Sequence, residues 1–148
     1  MYRTGHGKIV PPCPVLPLSL WPSNAFGETK KGKALNEKFQ DFLTHHPKVT
    51  YVILDGSHKT TASALNAEKI SSAILDTNAS LKEMKNLAEK GDIFSFVGKE
   101  TIKDNIEDLV KHFLKFGRFE TVAEKTSRMV SKKVVPKYMI EHYRKAHA

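Results

Sequence analysis

The chain has 148 residues, 40% of them hydrophobic, and a formal net charge of +8. That length and apolar content suit one globular domain with its own core and exclude wholesale disorder, and no apolar run approaches the roughly 18 residues that a membrane-spanning helix needs. The excess of lysine and arginine points to polyanionic company (nucleotides, nucleic acid, acidic surfaces) or to a solvated lysine surface, and a single cysteine, Cys13, excludes an internal disulfide and any multi-cysteine metal site.

The first twelve residues show no period and read as a frayed or docked arm. They carry no charged-then-apolar leader pattern, because Pro11, Pro12, Pro14 and Pro17 interrupt the only apolar stretch. The expectation is a cytoplasmic protein without membrane contact. Cys13, set in P-P-C-P, reads as a small packed residue rather than a nucleophile. Val15 to Trp21 predicts an extended strand, which Pro17 would confine to a sheet edge. Pro22-Ser23-Asn24 ends it, and a loop follows to Lys33. That loop contains G-E-T-K-K-G-K, but Ala34 stands where a Walker loop needs a hydroxyl for magnesium, and no buried strand precedes it. A P-loop is rejected.

Ala34 to His45 predicts an amphipathic helix, with Leu35, Phe39, Phe42 and Leu43 on one face. Pro47 stops it, and His45 and His46 read as C-terminal capping residues rather than a metal pair. Val49 to Leu54 is short, apolar and β-branched, the pattern of a buried strand. Asp55-Gly56 breaks it as a turn. Ser57 then reads as an N-cap for a short helix from Thr60 to Leu65, and Ile70 to Leu75 as the next strand. A turn between a strand and a helix N-terminus gathers free backbone N–H groups and favours an anion. Here it also carries His58, Lys59 and the hydroxyls of Ser57, Thr60 and Thr61. It reads either as a phosphate site or as a plain capped turn.

Asp76-Thr77-Asn78 predicts a turn and cap for a helix from Ser80 to Lys90, whose buried face is Leu81, Met84, Leu87 and Ala88. Ile93 to Val97 is a short strand candidate. From Thr101 to Phe116 the stripe Ile102, Ile106, Leu109, Val110, Phe113 and Leu114 marks the longest helix. Helical patterning resumes after Phe119, and Pro136 punctuates it before a last helix. Lys125, Arg128, Lys132, Lys133, Lys137, Arg144 and Lys145 make this end strongly basic. They read as a solvated face or as a contact for nucleic-acid phosphates, without the exposed aromatic interleaving of single-strand binders. No repeat, low-complexity tract or long linker divides the chain. The expected fold is a single α+β domain, a small mixed sheet with packed helices over about 15–97 and a helical portion over about 99–148.

The segment L-D-G-S-H-K-T-T-A-S-A-L resembles the signature of the ParB/sulfiredoxin superfamily, in which a strand ends in Asp-Gly-(any)-His-Arg before an Ala-rich helix. Asp55, Gly56, Ser57 and His58 match, and Lys59 stands where arginine is usual. The resemblance covers approximately Val15 to Leu75. Where the family uses this turn, it binds the phosphates of a nucleotide. Ser57 replaces the reactive cysteine of sulfiredoxins, so sulfinic-acid reduction is not expected. The turn also departs from the Gly-Glu-Arg-Arg box of the chromosome-partitioning proteins. Its form is most similar to the free serine kinases and to ParB-like domains labelled nucleases. The resemblance implies ATP or ADP at Gly56, Ser57, His58, Lys59, Thr60 and Thr61, magnesium, and a small acceptor. It also implies catalytic roles for Asp55, His58 and Glu28, since an acidic residue in the corresponding loop is a general base in those kinases. Asp55 reads equally as an Asx-turn residue, and Glu28 as a surface glutamate. Two classes of function follow. Phosphoryl transfer requires Lys30, Lys31 and Lys59 to converge on one cleft. A nucleic-acid module, or a nuclease, requires a stripe through Lys125, Arg128, Lys132, Lys133 and Lys137.

Overall fold

The computed structural model describes residues 2–3, 9–10, 13–54, 57–91, 96 and 98–148, with backbone alone for 2–3, 9–10 and 57–59. Tyr2–Arg3 (β1) pairs antiparallel with Ile9–Val10 (β2), a ladder that the aperiodic sequence there did not announce. Cys13–Pro17 (β3) is the middle strand of a three-stranded mixed sheet. Tyr51–Ile53 (β4) runs antiparallel on one side of it and Ser72–Ile74 (β5) parallel on the other. Six helices follow among the described residues: Lys30–His45 (α1), Ser57–Leu65 (α2), Asn78–Glu89 (α3), Ile102–Phe116 (α4), Val122–Ser131 (α5) and Lys137–Ala146 (α6). The fold is α+β with a small mixed sheet, as expected. The strand predicted at Ile93 to Val97 lies outside the described residues except for Phe96, which packs against Leu75, Leu81 and Met84.

The edge position predicted for the first long strand is overturned, because β3 is central. Successive residues of a strand turn their backbone groups to opposite neighbours. On the β4 side, Leu18 N–H donates to the Thr50 carbonyl (2.8 Å) and Leu54 N–H to the Pro14 carbonyl (2.9 Å). On the β5 side, Leu75 N–H donates to the Val15 carbonyl (2.9 Å). Pro17 therefore turns its nitrogen toward β5 beyond Ile74, where the parallel ladder has ended, and Pro14 turns its own toward β4 beyond Ile53. Each proline sits where a ladder stops, so neither costs a hydrogen bond within it. Conversely, β4 is not the buried strand expected. It is an edge, with Tyr51 46% exposed.

Helix α1 begins four residues earlier than its apolar stripe indicates. The Thr29 hydroxyl oxygen accepts from Gly32 N–H (3.0 Å), an N-cap. Asn36 then ties the preceding loop to the helix, accepting from Phe26 N–H (3.1 Å) and donating to the Gly27 carbonyl (3.2 Å). Gly32 and Lys33 thus lie inside a helix and form no phosphate loop. Other helix starts follow their hydroxyl residues. Thr77 and Ser80 form a reciprocal capping box at α3, Thr121 and Glu124 another at α5, and Thr101 caps α4. Helix α4 ends at Gly117, whose φ of 68° is the left-handed conformation that a helix stop of this kind takes. Ser57, expected to cap α2, is instead its first helical residue. The polar trio Ser57, His58 and Lys59 shows no apolar period, which hid this first turn.

Among the described residues the core forms three clusters. Leu75, Leu81 and Met84 join α3 to the sheet, with Leu54 and Ile102 against them. Phe26, Leu35 and Phe39 face Val110, Phe113 and Leu114 of α4, together with Trp21 and Phe119. Leu65 of α2 meets Val130 and Ile140 of α5 and α6. Helix α4 touches both of the first two clusters, so its predicted stripe is core on both counts.

Replacing a helical glycine by alanine ordinarily gains about 1 kcal/mol. At Gly32 the sign reverses, because a β-carbon would collide with the Phe26 carbonyl oxygen and come within 2.9 Å of the Gly27 carbonyl. Gly32→Ala is expected to lose about 1–3 kcal/mol by urea unfolding, as overpacked sites do. A gain would show that the loop 22–29 yields freely.

Candidate functional site

The predicted phosphate turn lies between β4 and α2. Asp55 and Gly56 lie outside the described residues, as do the side chains of Ser57, His58 and Lys59. The backbone of those last three residues forms the first turn of α2. Their N–H groups have no acceptor within the helix, and the positive end of its dipole lies there. Thr60 and Thr61 follow at 2% and 7% exposure, and both are engaged within the protein. The far end of α2 is held by Leu65 against Val130 and Ile140. The helix behind the turn therefore rests on α5 and α6, and Leu54, which ends β4, is tied to Pro14. Turn and sheet meet at that bond.

Glu28 stands just before α1, exposed, with its carboxylate 3.6 Å from Lys33 Nζ. Among the described residues it makes no polar contact with α2. Lys30 and Lys31 open α1 and are exposed. Glu28, Lys30, Lys31 and Lys33 thus form one polar group at the start of α1, while Thr60 and Thr61 belong to the packing of α2. The convergence of Lys30 and Lys31 with Lys59 falls on a side chain outside the described residues.

The basic residues of the C-terminal helices do not form an uninterrupted stripe. Arg128 forks onto Glu120, Nε to Oε2 at 3.0 Å and Nη2 to Oε1 at 2.7 Å, and both side chains are mostly buried. Its charge is matched from within. The hydrogen bonds from Arg128 hold the Glu120 carboxyl below the usual range, against the opposing effect of burial. Lys125 is half-buried and engaged within the protein. Lys137 lies 3.9 Å from Glu141. Lys132 and Lys133 are exposed in the turn after α5, where Lys133 takes a φ of 55°. Next in sequence Val134 is 63% exposed, and Tyr138, in the first turn of α6, is 71% exposed. The aromatic ring that the sequence was expected to lack is Tyr138. Its signal lay in the helical period: Ile140 and Tyr143 mark the packed face of α6, and position 138 falls opposite Ile140.

The two C-terminal histidines of α1 cap it as predicted. Nδ1 of His45 meets the Asp41 carbonyl at 2.7 Å, and Nδ1 of His46 meets that of Phe42 at 2.8 Å. Nε2 of His46 also reaches Glu124 Oε1 at 2.9 Å, which ties the end of α1 to the start of α5. Among the described residues, no three His, Cys, Asp or Glu side chains gather as a metal-binding group, and no helix is long and apolar enough to cross a membrane.

A carboxyl held below its ordinary value in the folded state contributes stability that is present above the unfolded value and lost as pH falls through the folded one. Glu120→Gln is expected to cost on the order of 1 kcal/mol at pH 7, since a well-formed forked pair sits at the upper end for ion pairs near a surface. The difference from the parent chain should begin to narrow below about pH 4.3, the ordinary glutamate value, and close as pH falls through the lower folded value. Denaturant unfolding at pH 7 and pH 3 measures both, and a pH-independent difference would assign the effect to packing. No protein-family model, curated protein or solved structure matches the chain.

Proposed function

We propose that the turn from Asp55 to Thr61 binds the phosphates of a nucleotide. The observation that carries this reading is the first turn of α2. It opens at Ser57, a few residues past the end of β4 at Ile53, with His58 and Lys59 in sequence within it. Support also comes from the resemblance of L-D-G-S-H-K to the nucleotide-binding turn of the ParB/sulfiredoxin superfamily. Backbone N–H groups at Ser57, His58 and Lys59 would meet phosphate oxygens, and Lys59 would add a point charge where arginine gives a fork. Thr60 and Thr61, being buried, would anchor the helix and leave ligand contact to the three residues before them. The reaction class that follows is phosphoryl transfer to a small acceptor, with Glu28 or Asp55 as base and magnesium beside the phosphates.

Thermal melting with ATP, ADP, CTP and AMP plus magnesium tests the binding step. One nucleotide should raise the melting temperature, because a ligand at a hundredfold excess over its Kd stabilises the folded state by about 2.7 kcal/mol. His58→Ala and Lys59→Ala should abolish that rise, and Lys59→Arg should keep it. No rise with any nucleotide would sink the proposal.

A second reading, a nucleic-acid-binding module or nuclease, is favoured by Tyr138, exposed in the first turn of α6 shortly after the exposed Lys132 and Lys133 in sequence. A base stacked on that ring, with flanking lysines on the phosphates, is the contact that it offers. Tyr138→Ala should weaken single-stranded DNA binding by roughly 1–3 kcal/mol in fluorescence anisotropy, and affinity should fall as salt rises. Binding that ignores both the substitution and the salt would dismiss this surface.

A further inference from the structure

A cleft of about 390 Å³ opens between the loop that follows β3 and the outer side of α1, lined in part by Trp21, Asn24, Glu37, Phe39, Gln40 and Asp41. That volume lies within the range of small-molecule sites. None of these residues belongs to the phosphate turn or to the basic surface. We propose that this cleft binds a small organic cation, an alkylammonium or guanidinium group.

The apolar side of the cleft is aromatic and fixed. Trp21 is half-buried, and its ring centroid lies 6.0 Å from Phe26, 5.7 Å from Phe39 and 6.3 Å from Phe113, in tilted and edge-on arrangements. An indole held in this way is the strongest side-chain partner for a cation over its face. The polar side is anionic. Glu37 and Asp41 lie four residues apart on α1 and so project from the same side of the helix, where like charges repel. Neither carboxylate forms an ion pair among the described residues, although the chain holds 24 lysines and arginines. Asn24 and Gln40 add amide groups. Asn24 is held at a φ of 52° while its carbonyl accepts from Gly27 N–H at 2.9 Å.

A cation in the cleft would relieve the repulsion of the two carboxylates and meet the ring at once. A phosphate would meet two negative charges and no positive one, so the cleft is not a second nucleotide site. A neutral sugar would satisfy the amides and the ring but would leave the carboxylate pair uncompensated.

The chain has one tryptophan, so Trp21 emission reports on this cleft alone. Choline and agmatine are the probes. Their controls are 3,3-dimethylbutan-1-ol, which has the shape of choline without its charge, and glucose. At least one cation should change Trp21 emission saturably, and neither control should. The double variant Glu37→Gln, Asp41→Asn should weaken that response about tenfold or more, with thermal melting unchanged. Absence of a saturable response to both cations would overturn the proposal. So would an equal response to the neutral alcohol, a response to glucose alone, or a cation response that survives in the double variant.

Discussion

Pairing on both edges of β3 is the constraint on which the remaining structure depends. Five residues, two of them proline, hold an antiparallel neighbour on one side and a parallel one on the other. Because β4 and β5 flank β3 on opposite sides and are not neighbours, the chain between them cannot be a hairpin and must cross β3. That crossing holds α2 and the polar turn before it. The turn is thereby placed at the end of the sheet from which β3 starts, where Leu54 bonds to Pro14 and Cys13 bonds to Ser71. A slip of one residue in either ladder would turn Leu54 and Leu75 away from Leu81 and Met84, which fixes the register by burial.

The two largest clusters do different work. The one under the sheet is aliphatic and closes α3 over the strands. The one between α1 and α4 is aromatic, with Phe39 and Phe113 each 4.9 Å from Phe119 by ring centroid. Large flat rings in edge-on and tilted contact hold α1 rigid along its inner side, which leaves its outer side free to carry charge. Glu37 and Asp41 lie on that outer side while Leu35 and Phe39 are buried between helices. Rigidity on one face of α1 and ionisable groups on the other come from the same period.

Much of the helical architecture could be read from the residues alone. The stripe on α4, the cap before α3 and the stop at Pro47 are local signals, and local signals survive folding. The misreadings share a cause, which is that the deciding partner lies far along the chain. Pro17 signals an edge strand only if the neighbour continues past it, and the length of β5 is not written near Pro17. Gly32 looks like a helix breaker until the Phe26 carbonyl is seen to occupy the space that a side chain would need. Arg128 looks available until Glu120 folds back onto it. Of the candidate site, the position of α2 after β4 was legible, and the burial of Thr60 and Thr61 was not, because two adjacent threonines in a polar stretch carry no apolar period. Tyr138 was missed for a different reason: its helix begins at a proline, and only the later residues Ile140 and Tyr143 reveal which side faces outward.

The attachment of α2 to the last two helices also bears on the order of assembly. Leu65 finds its partners at Val130 and Ile140, more than sixty positions later in the chain. Contacts so distant in sequence form only after the intervening chain has been ordered, and they raise the entropic cost of closure. In chain order, the sheet strands, α1 and α4 all precede Val130. Helix α5 is the first support that α2 can reach, and α6 completes it. A chain stopped short of α6 would carry α2 without its contact at Ile140.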